Sequence, residues 1–330
     1  MYGYRIFHED ILENLISNAR SEKTQQAYIF EGAQGVGSYE ASQLFAHALV
    51  CGMRQSAPCR NCPPCLMALS GTHPDIKTID YEPKKKNISV DQIRNLITDA
   101  YVKPFENQKK VYILNHGDDI TPQAQNALLK ILEEPPQYVV FIIHAENVNS
   151  LLPTIRSRCC YIKFSPVSDE LIKKQLLLEH PQLSQSIDFI VRYAGGVYGN
   201  AEKLIEKEDF LSIREKSFEK LEDLLSSNLL TAYDITDFID ENKDDADLIL
   251  SFWSDFIRDA LLVQNDATEL IQNLDFKDRI MGFSLKYSEE KFIKALEELL
   301  TAQKMRKKHV SLKTLVLRLA FSIKNKEKHQ

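Results

Sequence analysis

Apolar and polar positions change their rhythm once along this chain. Up to about residue 165, short apolar runs alternate with stretches in which apolar residues recur every three or four positions. That alternation predicts a parallel sheet flanked by helices. Strands are expected at Ala27–Glu31, Asp75–Asp80, Lys110–Leu114 and Val139–Ile143, with Cys160–Phe164 closing the sheet. Helical spacing runs from about Ser38 to Leu49, and Ser89 can cap a further helix with Gln92 in the capping-box position. Thr121 is a natural N-cap with Pro122 at the first helical position. Ala124, Ala127, Leu128, Ile131 and Leu132 then form one apolar stripe, which Pro135 and Pro136 terminate.

After Ser165-Pro166 the strand signal stops. Helical periodicity continues from Asp169, broken at His180-Pro181, Gly195-Gly196 and around Asn242. The expected division is an α/β domain at 1–165, a small helical domain at 166–207 and a helical bundle at 208–330. Trp253 reads as core, and Leu312, Leu315, Val316 and Leu319 as bundle core or subunit interface. The charged tail after Ile323 should fray.

Composition narrows the class. The 330 residues are 44% hydrophobic and 27% charged, ordinary for a globular protein. The opening MYGYRIFHEDILENL has early acidic residues and no apolar signal core, and no apolar run approaches a bilayer span. A cytoplasmic protein without membrane association is expected. The formal net charge is −6, which argues against a chain that binds duplex DNA alone. Lys84-Lys85-Lys86 and the Lys304, Arg306, Lys307, Lys308, His309 cluster read first as solvated basic surface, with phosphate or subunit contact as the alternative.

Two segments suggest specific chemistry. Gly32-Ala33-Gln34-Gly35-Val36-Gly37-Ser38-Tyr39 lies between a strand and a helix, where backbone amides can cradle phosphate. Ser38 takes the position of the phosphate-binding lysine, and Tyr39 that of the magnesium-binding hydroxyl. Asn115-His116 follows the third strand where an ATPase would carry an acidic pair. The segment is either a degenerate nucleotide loop or a glycine-rich turn; the joint loss of lysine and acids favours a retired site. Cys51, Cys59, Cys62 and Cys65 are spaced C-x7-C-x2-C-x2-C, which suits a closed, structural zinc site. An iron–sulfur cluster is the minor alternative. Cys159 and Cys160 are expected to pack in the core.

With GAQGVGS, the four-cysteine module and THPDI at Thr72–Ile76, two further segments carry a family resemblance. They are QAQNALLKILEEPP at Gln123–Pro136 and Thr154-Ile155-Arg156-Ser157-Arg158-Cys159 with its Ser-Arg-Cys signature. In this order over about the first 160 residues, they resemble the clamp-loader branch of the AAA+ proteins. The resemblance implies a RecA-like AAA+ α/β domain, a helical lid and an all-α collar. It also implies a place in a DNA polymerase III holoenzyme beside gamma/tau-like and delta-like subunits. The assembled loader would meet the sliding clamp and primer-template DNA.

Within that branch, a chain that loses the ATP residues but keeps Ser-Arg-Cys resembles the delta-prime type. Such a subunit has no independent activity and scaffolds the pentamer. Arg158 would then be the arginine finger supplied in trans to a neighbour's ATP site, Arg156 a structural residue, and no cofactor would be held by Gly32, Gly35, Gly37, Ser38 and Tyr39. The plainer reading of Arg158 is a strand-end arginine paired to a carboxylate. Gly199 stands where the family's motor subunits carry a second sensing arginine. Two other functions compete: an ATP-hydrolysing gamma/tau-like motor subunit, and a stand-alone zinc-containing DNA-binding protein.

Overall fold

In a computed structural model, the protein is described at residues 7–83, 85–105, 109–183, 187–207, 209–226, 231–306, 314 and 317–318. Lys84, Lys307, Lys308, His309, Leu312, Leu315, Val316 and Leu319 lie outside the described residues. The elements run α1 (Glu9–Arg20), β1 (Ala27–Glu31), α2 (Ser38–Leu49), α3 (Pro63–Leu69), β2 (Ile76–Ile79), α4 (Val90–Ala100) and β3 (Lys110–Leu114). Then come α5 (Pro122–Glu133), β4 (Val139–Ala145), α6 (Pro153–Arg156), β5 (Cys160–Lys163), α7 (Asp169–Glu179), α8 (Ile187–Ala194) and α9 (Tyr198–Ile205). The remaining helices are α10 (Phe210–Leu225), α11 (Thr231–Glu241), α12 (Ala246–Gln264), α13 (Lys277–Ser284) and α14 (Glu289–Arg306).

The chain divides into two compact units, Met1–Lys174 with Ala194–Asn200, and Gln175–Tyr193 with Ala201–Gln330. The first holds a fully parallel sheet in the order β2-β3-β4-β1-β5. β1, β3 and β4 are apolar runs because both of their faces are covered by helices, as parallel sheets require. Tyr28 and Phe30 point to the α1–α2 side, Ile29, Phe141 and Ile143 to the α4–α5 side. This is the α/β arrangement expected from the strand pattern.

Local signals form as read. Ser89 and Gln92 make a reciprocal capping box on α4, and Thr121 Oγ1 accepts the Ala124 amide at the start of α5. Burial and one buried cation pin the end of α4. Lys110 Nζ donates to Asp99 O at 2.9 Å and pairs with the Asp99 carboxylate at 3.0 Å. Burial would raise the Asp99 carboxyl, but Lys77, Tyr112 and Lys110 outweigh it and hold its pKa at about 2.

One core expectation fails. Cys160 is exposed, because β5 is an edge strand with β1 on one side only. Cys159 does pack against the core, and burial pushes its thiol pKa up to about 12.

The second unit is helical throughout its described residues and centred on α12. Trp253 is fully buried and donates its indole N–H to Ser217 O at 2.7 Å. Arg214 is buried too, stacked on the Phe189 ring with its guanidinium 3.5 Å from the centroid and bonded to Asn273 and Asp275. Among the described residues no helix is long and apolar enough to cross a membrane.

Candidate functional site

In an open parallel sheet, ligands bind beyond the carboxyl ends of the strands where the strand order reverses. Here that point lies between β1 and β4, and the glycine loop occupies it. Gly32 N donates to Ala145 O at 3.0 Å, tying the loop to the end of β4. Gly35 has φ +86° and Gly37 φ +105°, left-handed conformations that favour glycine.

A cleft of about 940 Å³ opens beside this loop. Its lining carries the carboxylates of Asp80, Asp118, Asp119 and Glu146 and, among the described residues, no lysine or arginine. These acids are turned to local tasks. Asp118 accepts the amides of Glu146 and Asn147, at 2.6 and 3.0 Å, and the Ser150 hydroxyl. Asp119 accepts the Tyr81 hydroxyl at 2.5 Å, and Asp80 accepts from the Asn115 amide at 2.9 Å. Sequence reasoning stopped at Asn115-His116 and missed the acidic pair Asp118-Asp119 three residues on, whose bonding to backbone amides and to Tyr81 shows only in three dimensions.

The loop's own donors are partly used as well. Gln34 N faces the Glu146 carboxylate, with Oε1 at 3.4 Å. Ser38 begins α2 and is nearly buried, whereas Tyr39 is exposed. His116 sits at φ +53°, stacked on Tyr81 at 4.1 Å and 3.4 Å from Asp80. His144 is half-buried and bonded to Ser42 Oγ at 3.1 Å, and desolvation by the surrounding protein pushes its pKa down to about 4, so it is neutral near pH 7.

Gly199 completes the loop's surroundings. Its amide donates to Gly35 O at 2.9 Å, and a Cβ built on it would stand 2.7 Å from Gly35 Cα. Backbone lies against backbone, and no side chain fits at that position.

The cysteine module hangs between α2 and α3. Cys51, Cys59, Cys62 and Cys65 come together, their sulfurs all within 4.8 Å of one another. Cys51 to Cys62 is 4.0 Å and Cys59 to Cys65 is 3.9 Å. A tetrahedron of thiolates about 2.3 Å from zinc has edges of about 3.8 Å, so the four fit one ion. Cys51 Sγ also accepts the amides of Met53 and Cys59 at 3.3 and 3.4 Å; burial, the larger effect, pushes its thiol pKa up, and these amides pull the other way, toward the thiolate form a metal needs. Arg20 of α1 donates to Ala57 O at 2.8 Å and docks the module on the sheet unit.

Arg158 lies two residues past the end of α6. Its Nη2 donates to Glu133 Oε1 at 2.7 Å and its Nη1 to Thr154 O at 2.8 Å. The pair is at the surface, with side-chain exposures of 32% for Arg158 and 53% for Glu133. Arg156 bonds to Asn149 Oδ1 at 2.8 Å, a local contact. Glu133 was not singled out by sequence reasoning; its place at the end of the Asn-Ala-Leu-Leu-Lys-Ile-Leu-Glu-Glu stretch is the signal that was available. Of the basic loop residues, Lys85 pairs with Glu82 and Arg306 lies 3.5 Å from Asp247.

A family profile described as "DNA polymerase III, delta subunit" matches residues 7–168. Over 167 residues the chain is 33% identical to the DNA polymerase III subunit delta′ of Bacillus subtilis, covering 51% of this chain and half of that relative's length. It is 29% identical over 268 residues to subunit delta′ of Yersinia pestis, 79% of this chain and 77% of that one. A gamma subunit of Buchnera aphidicola is 30% identical over 243 residues, 71% of this chain and 66% of its own. Among solved structures, a gamma-subunit-related protein of DNA polymerase III from Thermotoga maritima aligns over 96% of this chain and 99% of its own, at 21% identity and a TM-score of 0.47. Residues 7–168, in the sheet unit, match the DNA polymerase III delta-subunit family, and delta′ and gamma subunits are among the chain's relatives.

Proposed function

We propose that this chain is a delta-prime-type subunit of a bacterial clamp loader, one that hydrolyses no ATP itself and lends Arg158 to a neighbour's ATP site. The observation that carries this reading is the cleft at the glycine loop, whose described lining residues offer four carboxylates and no lysine or arginine to a triphosphate. Four negative charges raise the free energy of a bound polyphosphate, and no lysine or arginine among the described lining residues offsets them. Hydrolysis needs that compensation in the transition state, so turnover is the firmest exclusion and nucleotide binding is not expected.

Arg158 supports the other half of the reading. A guanidinium presented at the surface can reach the γ-phosphate of an adjoining subunit, where it stabilises developing charge. Its pair with Glu133 is exposed, and such pairs are worth about 0–1 kcal/mol, little enough to be exchanged for phosphate.

The partners in this proposal are gamma/tau-like and delta-like subunits, and through them the sliding clamp and primer-template DNA. Cys51, Cys59, Cys62 and Cys65 hold a structural zinc that stabilises the 51–65 loop. Residues 166–207 serve as the lid and 208–330 as the collar. The chain works in the cytoplasm within a polymerase holoenzyme.

The test is ATP hydrolysis by a reconstituted loader stimulated by clamp and primed DNA. Arg158→Ala should lower the rate by roughly a thousandfold or more with the assembly intact by gel filtration. An unchanged rate would reduce Arg158 to a surface residue. Hydrolysis by the isolated chain at the loader's rate would favour a motor subunit, and tight salt-dependent DNA binding by that chain a stand-alone DNA-binding protein.

A further inference from the structure

The motif Gln123–Pro136 forms α5 and the turn after it, and the cleft leaves its role unexplained. Its side chains brace the segment that carries Arg158. Near the start of α5, Gln125 Nε2 donates to Ile120 O and Ser150 O at 3.1 and 3.2 Å, while its Oε1 accepts the Leu152 amide at 2.8 Å. Past the other end, Pro135 O and Pro136 O accept the Gln26 amide at 3.1 and 2.9 Å. Between these anchors, Leu128, Ile131 and Leu132 are buried, so α5 has little freedom to slide.

Glu133 is the last residue of α5. Carbonyl oxygens converge at a helix C-terminus and give it partial negative charge, so a carboxylate there is unfavourable unless a cation answers it. Arg158 is that cation, reached across the chain at 2.7 Å. Thr154 O holds the same guanidinium at Nη1 from a second direction, at 2.8 Å. An arginine has five N–H donors in a fixed plane. With a further Nη1 contact to Ser157 Oγ at 3.4 Å, these leave Nε and the second hydrogen of Nη2 without a partner among the described residues.

We propose that Glu133 is the positioning residue for Arg158: it fixes the guanidinium against α5 so that the remaining donors face a phosphate on the adjoining subunit. The proposal rests on the reading of Arg158 given above. A long arginine side chain otherwise loses considerable rotamer freedom when it is ordered, and a carboxylate anchor removes part of that loss before the neighbour arrives. An ion pair this exposed is too weak to withhold the arginine from a multiply charged phosphate, yet sufficient to select one rotamer.

The reconstituted loader tests this with Glu133→Ala, Glu133→Gln, Arg158→Ala and the double variant Glu133→Ala/Arg158→Ala. Assembly is checked by gel filtration and folding by thermal denaturation of each variant. Glu133→Ala should lower kcat for ATP hydrolysis about three- to tenfold with KM for ATP unchanged, because an imprecisely held group loses transition-state contact. Glu133→Gln keeps an acceptor oxygen and should recover most of that loss. In the Arg158→Ala background, Glu133→Ala should have no additional effect. A Glu133→Ala loader as fast as wild type or faster, beside a slow Arg158→Ala loader, would overturn the positioning role and leave the finger standing. Equal losses from Glu133→Ala with and without Arg158 would also overturn it. If Arg158→Ala itself is harmless, it is the reading of Arg158 that fails, and the positioning role falls with it.

Discussion

At the carboxyl ends of β1 and β4 the chain keeps the outline of a phosphate loop, while just after α6 it keeps a single arginine at the surface. The two regions belong to one sheet unit and have opposite characters. The loop has a packing reason for each retained glycine: positive φ at Gly35 and Gly37, and direct backbone contact between Gly35 and Gly199. In the proposed reading its chemistry is gone, with Ser38 and Tyr39 at the lysine and hydroxyl positions and Asn115 and His116 at those of the acidic pair. Arg158 has no comparable packing reason. It fills no core position, and its contacts are a carbonyl, an exposed carboxylate and the neighbouring Ser157 hydroxyl. A motif can therefore persist for shape in one place and for charge in another, and only the surroundings separate the two cases.

The contrast can be broken at several points. The largest expected effect is on Arg158, whose replacement by alanine should reduce loader ATP hydrolysis by roughly a thousandfold while leaving the fold untouched. A finding that Arg158→Ala instead unfolds the chain would give the arginine a packing role after all.

Cys62→Ser should reduce bound zinc from one per chain to background, measured by elemental analysis of protein purified without added chelator. The loss should expose the 51–65 loop to proteolysis, because the ion links four points of one loop. Full metal content in that variant would remove Cys62 from the ligand set.

On the loop side, Gly199→Ala drives a methyl group against Gly35 Cα and should destabilise the protein by about 1–3 kcal/mol in chemical denaturation. A neutral result would mean that Gly35 and Gly199 separate easily, and the packing reason for the loop would fail. The smallest effect is expected from Ser38→Lys combined with Tyr39→Thr. Restoring these two residues leaves four carboxylates in the cleft, so hydrolysis by the isolated chain should stay at background. Measurable turnover would show that the cleft lacks only its cation.

Much of the sheet unit was legible in advance because its signals are local. The apolar run of Ala27–Glu31, the Ser89–Gln92 capping box and the Thr121-Pro122 start of α5 are each contained in a few consecutive residues. Cys51, Cys59, Cys62 and Cys65 were legible for the same reason, since short spacings constrain where thiols can go. The Arg158 position could be named from Ser-Arg-Cys, but not its partner.

What the sequence by itself determined about this protein is the order of its elements, the candidate metal ligands and the missing cations of the glycine loop. These follow from backbone periodicity, caps and residue identity, which act over one or two turns of chain. Only the tertiary structure decided that Glu133 answers Arg158, that Gly199 lies on Gly35, that Asp118 and Asp119 serve backbone and tyrosine, and that Cys160 faces outward. Each of these depends on which strand lies at a sheet edge or on how two distant segments meet. Such meetings are set by the packing of whole helices and strands, and no short stretch of sequence records them.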